Sequence, residues 1–284
     1  MTYLMAVFMG LIQGVAEFLP ISSSGHLALF QAFFGMEDVE SKYMLFTVLL
    51  HFGTLISVCA VYWRDVLEMV REFFLGLAAL AGRRETNPPP VARRLVMLII
   101  TATLPLFVMV FFKDALNHLF SNSLMVSCAL MATGFILFFS DRLAQGRKTA
   151  RNATVVDALA VGCGQALAVI PGLSRSGTTI SVGMLRGFDR SFAVRFSFLM
   201  SLPAVLGANV LEIKDAVQSG FPMEELPMYL VGVAVSAVVG YFAIRLVKTL
   251  SDQGKFGHFA YYCWAVGLGS LLAGIFKMTV LKSV

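Results

Sequence analysis

Gln13-Gly14-Val15-Ala16-Glu17-Phe18-Leu19-Pro20-Ile21-Ser22-Ser23-Ser24-Gly25-His26 interrupts an apolar segment with an acid, three hydroxyls and an imidazole. A second interruption, Pro171-Gly172-Leu173-Ser174-Arg175-Ser176-Gly177-Thr178-Thr179, sets a guanidinium among hydroxyls. Each lies between short apolar arms: 2–18 with 26–35, and 153–170 with 177–187. Each pair reads as a re-entrant hairpin, with a helix in, a polar turn and a helix out on the same side. Irregular backbone at membrane depth is tolerated only where protein or a water-filled cavity surrounds it. The two turns are therefore where a site is expected.

The surroundings of the turns set the fold class. Of the 284 residues, 58% are apolar and only 14% are charged, with a mean hydropathy of +0.79. Soluble domains carry roughly a quarter charged residues, so lipid is the solvent for most of this surface. Six segments have the length of a membrane span: 44–62, 94–112, 123–140, 192–211, 227–247 and 257–276. The expected fold is all-α and polytopic, a single membrane domain over 1–284 with six transmembrane helices and two re-entrant helical hairpins. Segment 64–82 reads as an amphipathic surface helix, and 83–90, ending in three prolines, as a loop.

The net charge of +5 comes from Lys and Arg in short loops beside apolar runs, with no basic stripe interleaved with aromatics. That pattern orients a membrane protein and argues against nucleic acid. The basic residues of 63–93, 141–152, Arg186, Arg190, Arg245, Lys248 and Lys255 all fall on one face if that face is cytoplasmic. The acidic loops with Glu37, Asp38, Glu40, Glu212, Asp215, Glu224 and Glu225 then lie outside, as do both termini. Lys277 and Lys282 depart from the pattern. Cys59, Cys128, Cys163 and Cys263 sit in apolar segments without CxxC spacing and read as small hydrophobes. No basic stretch opens the chain, so no cleavable signal peptide is expected.

The two turns align without a gap. Gln13 to Gly25 has the same spacing as Gln165 to Gly177, and Ser22-Ser23-Ser24-Gly25 falls on Ser174-Arg175-Ser176-Gly177. One hairpin plus three spans makes each half, roughly 1–140 and 153–277. An odd number of spans inverts the second half, which places a site near the midplane where broken helices meet.

Gln13 and Glu17 are four apart and share a helix face. A carboxylate deep in an apolar segment is a site by default, although an interhelical hydrogen bond would also use it. Ser22, Ser23 and Ser24 precede a helix start, where hydroxyls cap and free N–H groups bind anions. A hydroxyl flanked by a base and an acid is the arrangement of an activated nucleophile. Arg175 at membrane depth needs an anion. It can pair with Glu17, or clamp phosphate with Ser174, Ser176 and Thr178 completing the cradle. His51 reads as a bundle hydrogen-bonder, and Asn209 and Glu212 as interfacial.

These turns resemble the bacterial undecaprenyl-diphosphate phosphatase family, also known for bacitracin resistance. That family carries (E/Q)xxxE before PxSSxGH, and later PGxSRSGxT. Here they are Gln13 to Glu17, Pro20 to His26, and Pro171 to Thr178. The resemblance implies hydrolysis of undecaprenyl diphosphate to the monophosphate in the bacterial inner membrane, recycling the lipid carrier of cell-wall synthesis. It implies a site facing the periplasm, bacitracin competing for the substrate, and a divalent cation, Mg2+ or Ca2+. By motif match it makes Glu17, Ser23, His26 and Arg175 catalytic. Gln13, Ser22, Ser24, Ser174, Ser176 and Thr178 would contact substrate, and Glu17, with Gln13, would hold the metal or His26.

Two competing readings remain distinct. The acid-phosphatase-like lipid phosphatases also use SGH and SR elements, but need a histidine about six residues after the arginine. Here that region is Ile180, Ser181 and Val182, which excludes the class. A flippase of polyprenyl phosphate is the alternative from another class, because opposed hairpins in inverted repeats also build transporters.

Overall fold

The computed structural model describes residues 2–26, 29, 44–80, 82, 90–112, 122–219 and 223–281. Among them the regular structure is helical, apart from one isolated parallel bridge between Lys148 and Phe188. The helices are α1 Tyr3–Ala16, α2 Met44–Val61, α3 Trp63–Leu80, α4 Val91–Val108, α5 Ser123–Leu143, α6 Val155–Leu167, α7 Arg175–Leu185, α8 Arg190–Ser219, α9 Leu226–Asp252 and α10 Phe259–Leu281. Their starts follow local chemistry. Asn122 caps α5 by accepting from the Leu124 and Met125 amides, and Thr154 and Asp157 form a reciprocal capping box at α6.

Four helices among the described residues are long and apolar enough to cross a membrane: Val91–Val108, Ser123–Leu143, Leu226–Asp252 and Phe256–Lys277. The α2–α3 pair passes the same test together, but bends by 92° at Tyr62. That bend falls where a span was expected to meet an amphipathic surface helix. The expected span 192–211 lies inside α8, which runs on to Ser219 and contains Pro203. The described residues are thus all-helical, with four to five candidate spans among them. The expected second arm of the first hairpin, the acidic loop at 37–40 and most of the loop at 83–90 lie outside the described residues.

The α6–α7 segment shows how a hairpin returns. Its helices have 13 and 11 residues, about 20 and 17 Å at 1.5 Å per residue, too short for a 30 Å hydrocarbon layer. Its two ends meet: the Lys148 amide donates to Gly187 O at 2.9 Å, and the Asp189 amide to Lys148 O at 2.9 Å. The fully buried Asp157 clasps the same junction, accepting from Lys148 Nζ at 2.8 Å and Arg186 Nη2 at 2.9 Å. Other basic residues join this end of the bundle. Arg94 donates to Ala153 O at 2.8 Å, Arg190 pairs with Asp141, Arg195 with Asp65, and the Gly257 amide donates to Asp141 at 2.8 Å.

The hairpin sits inside the bundle, with α7 against α5, α6 and α8, and α6 against α4. The α4–α6 approach is so close that a Cβ on Gly162 would lie 2.3 Å from Ala102 O. On the other side α9 packs along both α1 and α2 through the small residues Gly232, Ser236 and Gly240, which let backbones approach in lipid. Phe188, Phe192 and Phe196 cluster through tilted and edge-on contacts, and Phe18 meets Phe198 edge-on at 5.3 Å. These contacts leave the two polar turns facing each other within the helices.

Gly172 is the tightest point of the second turn. Its φ is +95°, and a Cβ there would lie 2.4 Å from Val126 O. Gly172→Ala therefore adds left-handed strain to a clash with backbone, each costing roughly 1–3 kcal/mol. The expected result is a lower melting temperature in detergent. Gly269→Ala, with open space around it, should leave the melting temperature unchanged or raise it.

Candidate active site

The first turn begins where Pro20 ends the continuation of α1. The chain then folds onto itself through Ser22, whose φ of +66° is left-handed. A non-glycine residue there costs of order 1–3 kcal/mol and persists only where its surroundings hold it. Ser22 Oγ accepts from the Gly25 amide at 3.2 Å, and Ser22 O accepts from the His26 amide at 3.2 Å. These bonds start a helical turn over residues 23–26. In the second turn Ser174 caps α7, its Oγ accepting from the Gly177 amide at 3.1 Å. Thr133 of α5 pins this turn, donating to Gly172 O at 2.9 Å and accepting from the Ser174 amide at 3.1 Å.

The two turns touch. Ser22 Oγ donates to Leu173 O at 3.4 Å, and Ser176 Oγ donates to Leu19 O at 3.3 Å. A Cβ on Gly25 would lie 2.8 Å from Gly172 Cα. Across this junction the Arg175 guanidinium donates to Glu17 Oε1. Gln13 Nε2 donates to Glu17 Oε2 at 3.1 Å. The Glu17 side chain is 8% exposed and that of Arg175 26%, so the carboxylate is enclosed while the guanidinium keeps part of its fork open. Arg carries five N–H donors, which leaves several to meet an anion.

Two cavities flank Arg175. The smaller, about 50 Å³, is lined by Glu17, Ser22, Ser23, Ser24, Ser174 and Arg175, with Ala16, Ala168 and Leu173. Ser23 and Glu17 share the wall of the smaller cavity. The larger, about 220 Å³, has His51, Gln165, Arg175 and Asn209 on an otherwise apolar wall. Arg175 and Ala168 line both.

The structure therefore gathers Glu17, Ser22, Ser23, Ser24, Ser174 and Arg175 around one small space, with Gln13 behind Glu17. Ser176 braces the turn-to-turn contact, its Oγ 3.3 Å from Ser174 Oγ. Thr178 is buried, and its hydroxyl has no hydrogen-bond partner among the described residues. His26 is not on the cavity wall. Its ring stacks on Tyr262 at 5.6 Å, with Nε2 2.9 Å from the Tyr262 hydroxyl. Its Nδ1 lies 2.8 Å from Ser22 O. A carbonyl only accepts, so Nδ1 carries the proton and Nε2 is the free base of the neutral ring.

Three residues gain a place that their sequence surroundings did not give them. His51 does hydrogen-bond within its helix, Nδ1 to Thr47 O at 2.9 Å, but its Nε2 also lies 3.8 Å from Glu17 Oε2. Asn209, read as interfacial, is 3% exposed and lines the larger cavity. Gln165, noticed only as the repeat partner of Gln13, is 2% exposed and lines it too. The one sequence signal was a polar side chain inside an apolar helix, which bundle hydrogen bonds produce equally well.

Among the described residues no three of His, Cys, Asp and Glu come together in a metal-holding group. The residues fit a cation that needs little from the protein. Mg2+ is commonly held by one or two carboxylates together with substrate phosphates, and Glu17 is the carboxylate available at the turns.

Comparison with known proteins agrees with the motifs. The family described as "Bacitracin resistance protein BacA" matches residues 6–269. The chain is 39% identical over 268 residues to an undecaprenyl-diphosphatase of Alkaliphilus metalliredigens, covering 94% of this chain and 97% of that one. It is 40% identical over 272 residues to one of Halothermothrix orenii, covering 95% and 98%. A third, of Methanosphaera stadtmanae, is 36% identical over 278 residues, covering 96% and 98%. Two facing turns that join Glu17 to Arg175, and a match over nearly the whole length, place this chain in the bacitracin resistance protein BacA family.

Proposed function

We propose that the small cavity between the two turns is where this chain cleaves the anhydride of its lipid substrate. The family gives the overall reaction: hydrolysis of undecaprenyl diphosphate to undecaprenyl phosphate, which returns the carrier lipid to use. The observation that carries the siting is the Arg175–Glu17 pair, formed between turns 158 residues apart with Ser23 on the same wall.

Phosphoryl transfer asks mainly for positioning and for neutralising charge on the transferred group. The Arg175 fork supplies a planar, permanently charged clamp. The Ser23, Ser24 and Ser174 hydroxyls lie around it, and α7 begins at Arg175 on the same wall, where a helix N-terminus favours an anion. Ser23 attacks the terminal phosphorus. The Oγ–P bond forms as the bond to the bridging oxygen breaks, and undecaprenyl phosphate leaves. His26 Nε2 takes the Ser23 proton once its ring exchanges the Tyr262 hydroxyl for the cavity. Water then cleaves the phosphoseryl ester and releases phosphate. In the variant without a covalent intermediate, Ser23 orients the attacking water instead. Glu17 holds Arg175 in place and would be the protein ligand for Mg2+ or Ca2+, a cation that would supply further charge neutralisation on the diphosphate.

The six-span, two-hairpin arrangement with inverted halves is part of this proposal. The joined ends of the α6–α7 hairpin and the gathering of basic residues at one end of the bundle support it. With that end cytoplasmic, the termini and the cavities face the periplasm, where bacitracin would compete for the substrate. A flippase would need the same headgroup site but no nucleophile. A serine hydroxyl sharing one cavity wall with a carboxylate and a guanidinium favours hydrolysis.

Purified protein in detergent with undecaprenyl diphosphate and Mg2+ should release phosphate, whereas retained binding without release would indicate a carrier. Arg175→Lys keeps the charge opposite Glu17 but loses the fork, and should lower turnover about 10²-fold with the fold retained by gel filtration. Ser23→Ala should lose about 10²-fold or more, and acid quenching should trap labelled phosphate on Ser23 in the parent protein. Full turnover by Ser23→Ala would remove serine as nucleophile. Chelation should abolish phosphate release, and calorimetry should show tight cation binding only with diphosphate present.

A further inference from the structure

The larger cavity beside Arg175 is lined by two buried amides whose N–H groups find no partner among the described residues. Gln165 Nε2 and Oε1 and Asn209 Nδ2 have no hydrogen-bond partner among the described residues. Gln165 is 2% and Asn209 3% exposed, and both line the cavity. A buried polar group left unpaired costs about 1–3 kcal/mol, so two on one wall call for a polar guest. The repeat makes the vacancy specific. Gln13 gives its amide to Glu17 four residues on, but the residue four after Gln165 is Val169. Gln165 has no local acid to satisfy, and its amide is left to the cavity.

Resting on the cleavage-site reading above, we propose that Gln165 and Asn209 bind the lipid-bearing phosphate of the substrate, the group that becomes the leaving monophosphate. The geometry assigns the two phosphates to opposite sides of Arg175. Ser23 lines only the smaller cavity, so the terminal phosphorus it attacks belongs there. The next phosphate then lies across the guanidinium, which lines both spaces. That second space is large enough for more than a headgroup, and its remaining wall is His51 with the apolar Leu106, Ala168, Val169, Ala204 and Val205. Its apolar part suits the first carbons of a prenyl chain, which the smaller, hydroxyl-lined cavity does not. When the anhydride breaks, charge grows on the departing phosphate, and two fixed amide donors beside Arg175 stabilise it.

Competitive inhibition of full-length protein in detergent separates the two subsites, with undecaprenyl phosphate probing the lipid side and inorganic phosphate the terminal side. Gln165→Leu should raise the inhibition constant for undecaprenyl phosphate about tenfold, as expected for a lost hydrogen bond to a charged group. The constant for inorganic phosphate should change less than twofold. Asn209→Leu should give the same pattern, and it carries the test if Gln165→Leu does not fold. Gln165→Glu, which sets a carboxylate against the phosphate, should weaken undecaprenyl phosphate further. If inorganic phosphate loses affinity instead, or if neither constant moves in folded protein, the assignment is overturned. Those results leave the cleavage site standing. Unchanged turnover in Arg175→Lys and Ser23→Ala would bring down the cleavage site itself.

Discussion

A guanidinium and a carboxylate meet between two turns that the chain separates by 158 residues. Neither charge is tolerable alone in an apolar bundle, because an unpaired buried ion costs several kcal/mol. Paired, they hold the turns together, and the surroundings reinforce them. Gln13 occupies the second carboxylate oxygen, Thr133 fixes the strand of chain that carries Arg175, and Ser22 and Ser176 bond across the junction. The pair is also incomplete as a purely structural device. The guanidinium keeps donors open toward two cavities, so the feature that satisfies the fold without substrate is also the feature that would receive an anion.

The rest of the bundle serves to keep these turns at depth without exposing their backbone to lipid. The α6–α7 helices are too short to cross, so their turn must be enclosed by others. Enclosure requires close approach, which small residues provide at the α4–α6 and α1–α9 contacts. At the opposite end of the hairpin, Asp157 draws Lys148 and Arg186 together. Burial alone would raise the pKa of that carboxyl, yet its hydrogen bonds from Lys148, Thr154 and Arg186 hold it below the usual carboxylate range. The hairpin is thus tied by one ion cluster where it enters and another where it turns.

Much of the site could be read from the chain because its residues are adjacent in sequence. Glu17, Ser22, Ser23 and Ser24 come within one turn, and Ser174 and Arg175 within the other. Pairing Glu17 with Arg175 was one of two open readings, and the structure shows that pair formed. His51, Gln165 and Asn209 could not be found in this way. They come from three different helices, each flanked by apolar residues, and a lone polar residue there serves packing as often as chemistry. His26 shows the converse. Its motif ties it to the serines, but its ring is turned by Tyr262, a residue 236 positions away.

By itself the sequence determined that this is a helical membrane protein with two polar interruptions, because hydropathy and charge act locally and are written in residue order. It determined the family as well, since the two motifs keep their spacing over the whole chain. Only the tertiary structure decided that the two turns face each other, that the guanidinium borders two spaces, and that two amide N–H groups beside it find no partner among the described residues. Those outcomes depend on which helices can approach closely enough to exclude lipid, a property of side-chain shape on neighbouring helices that no single segment contains.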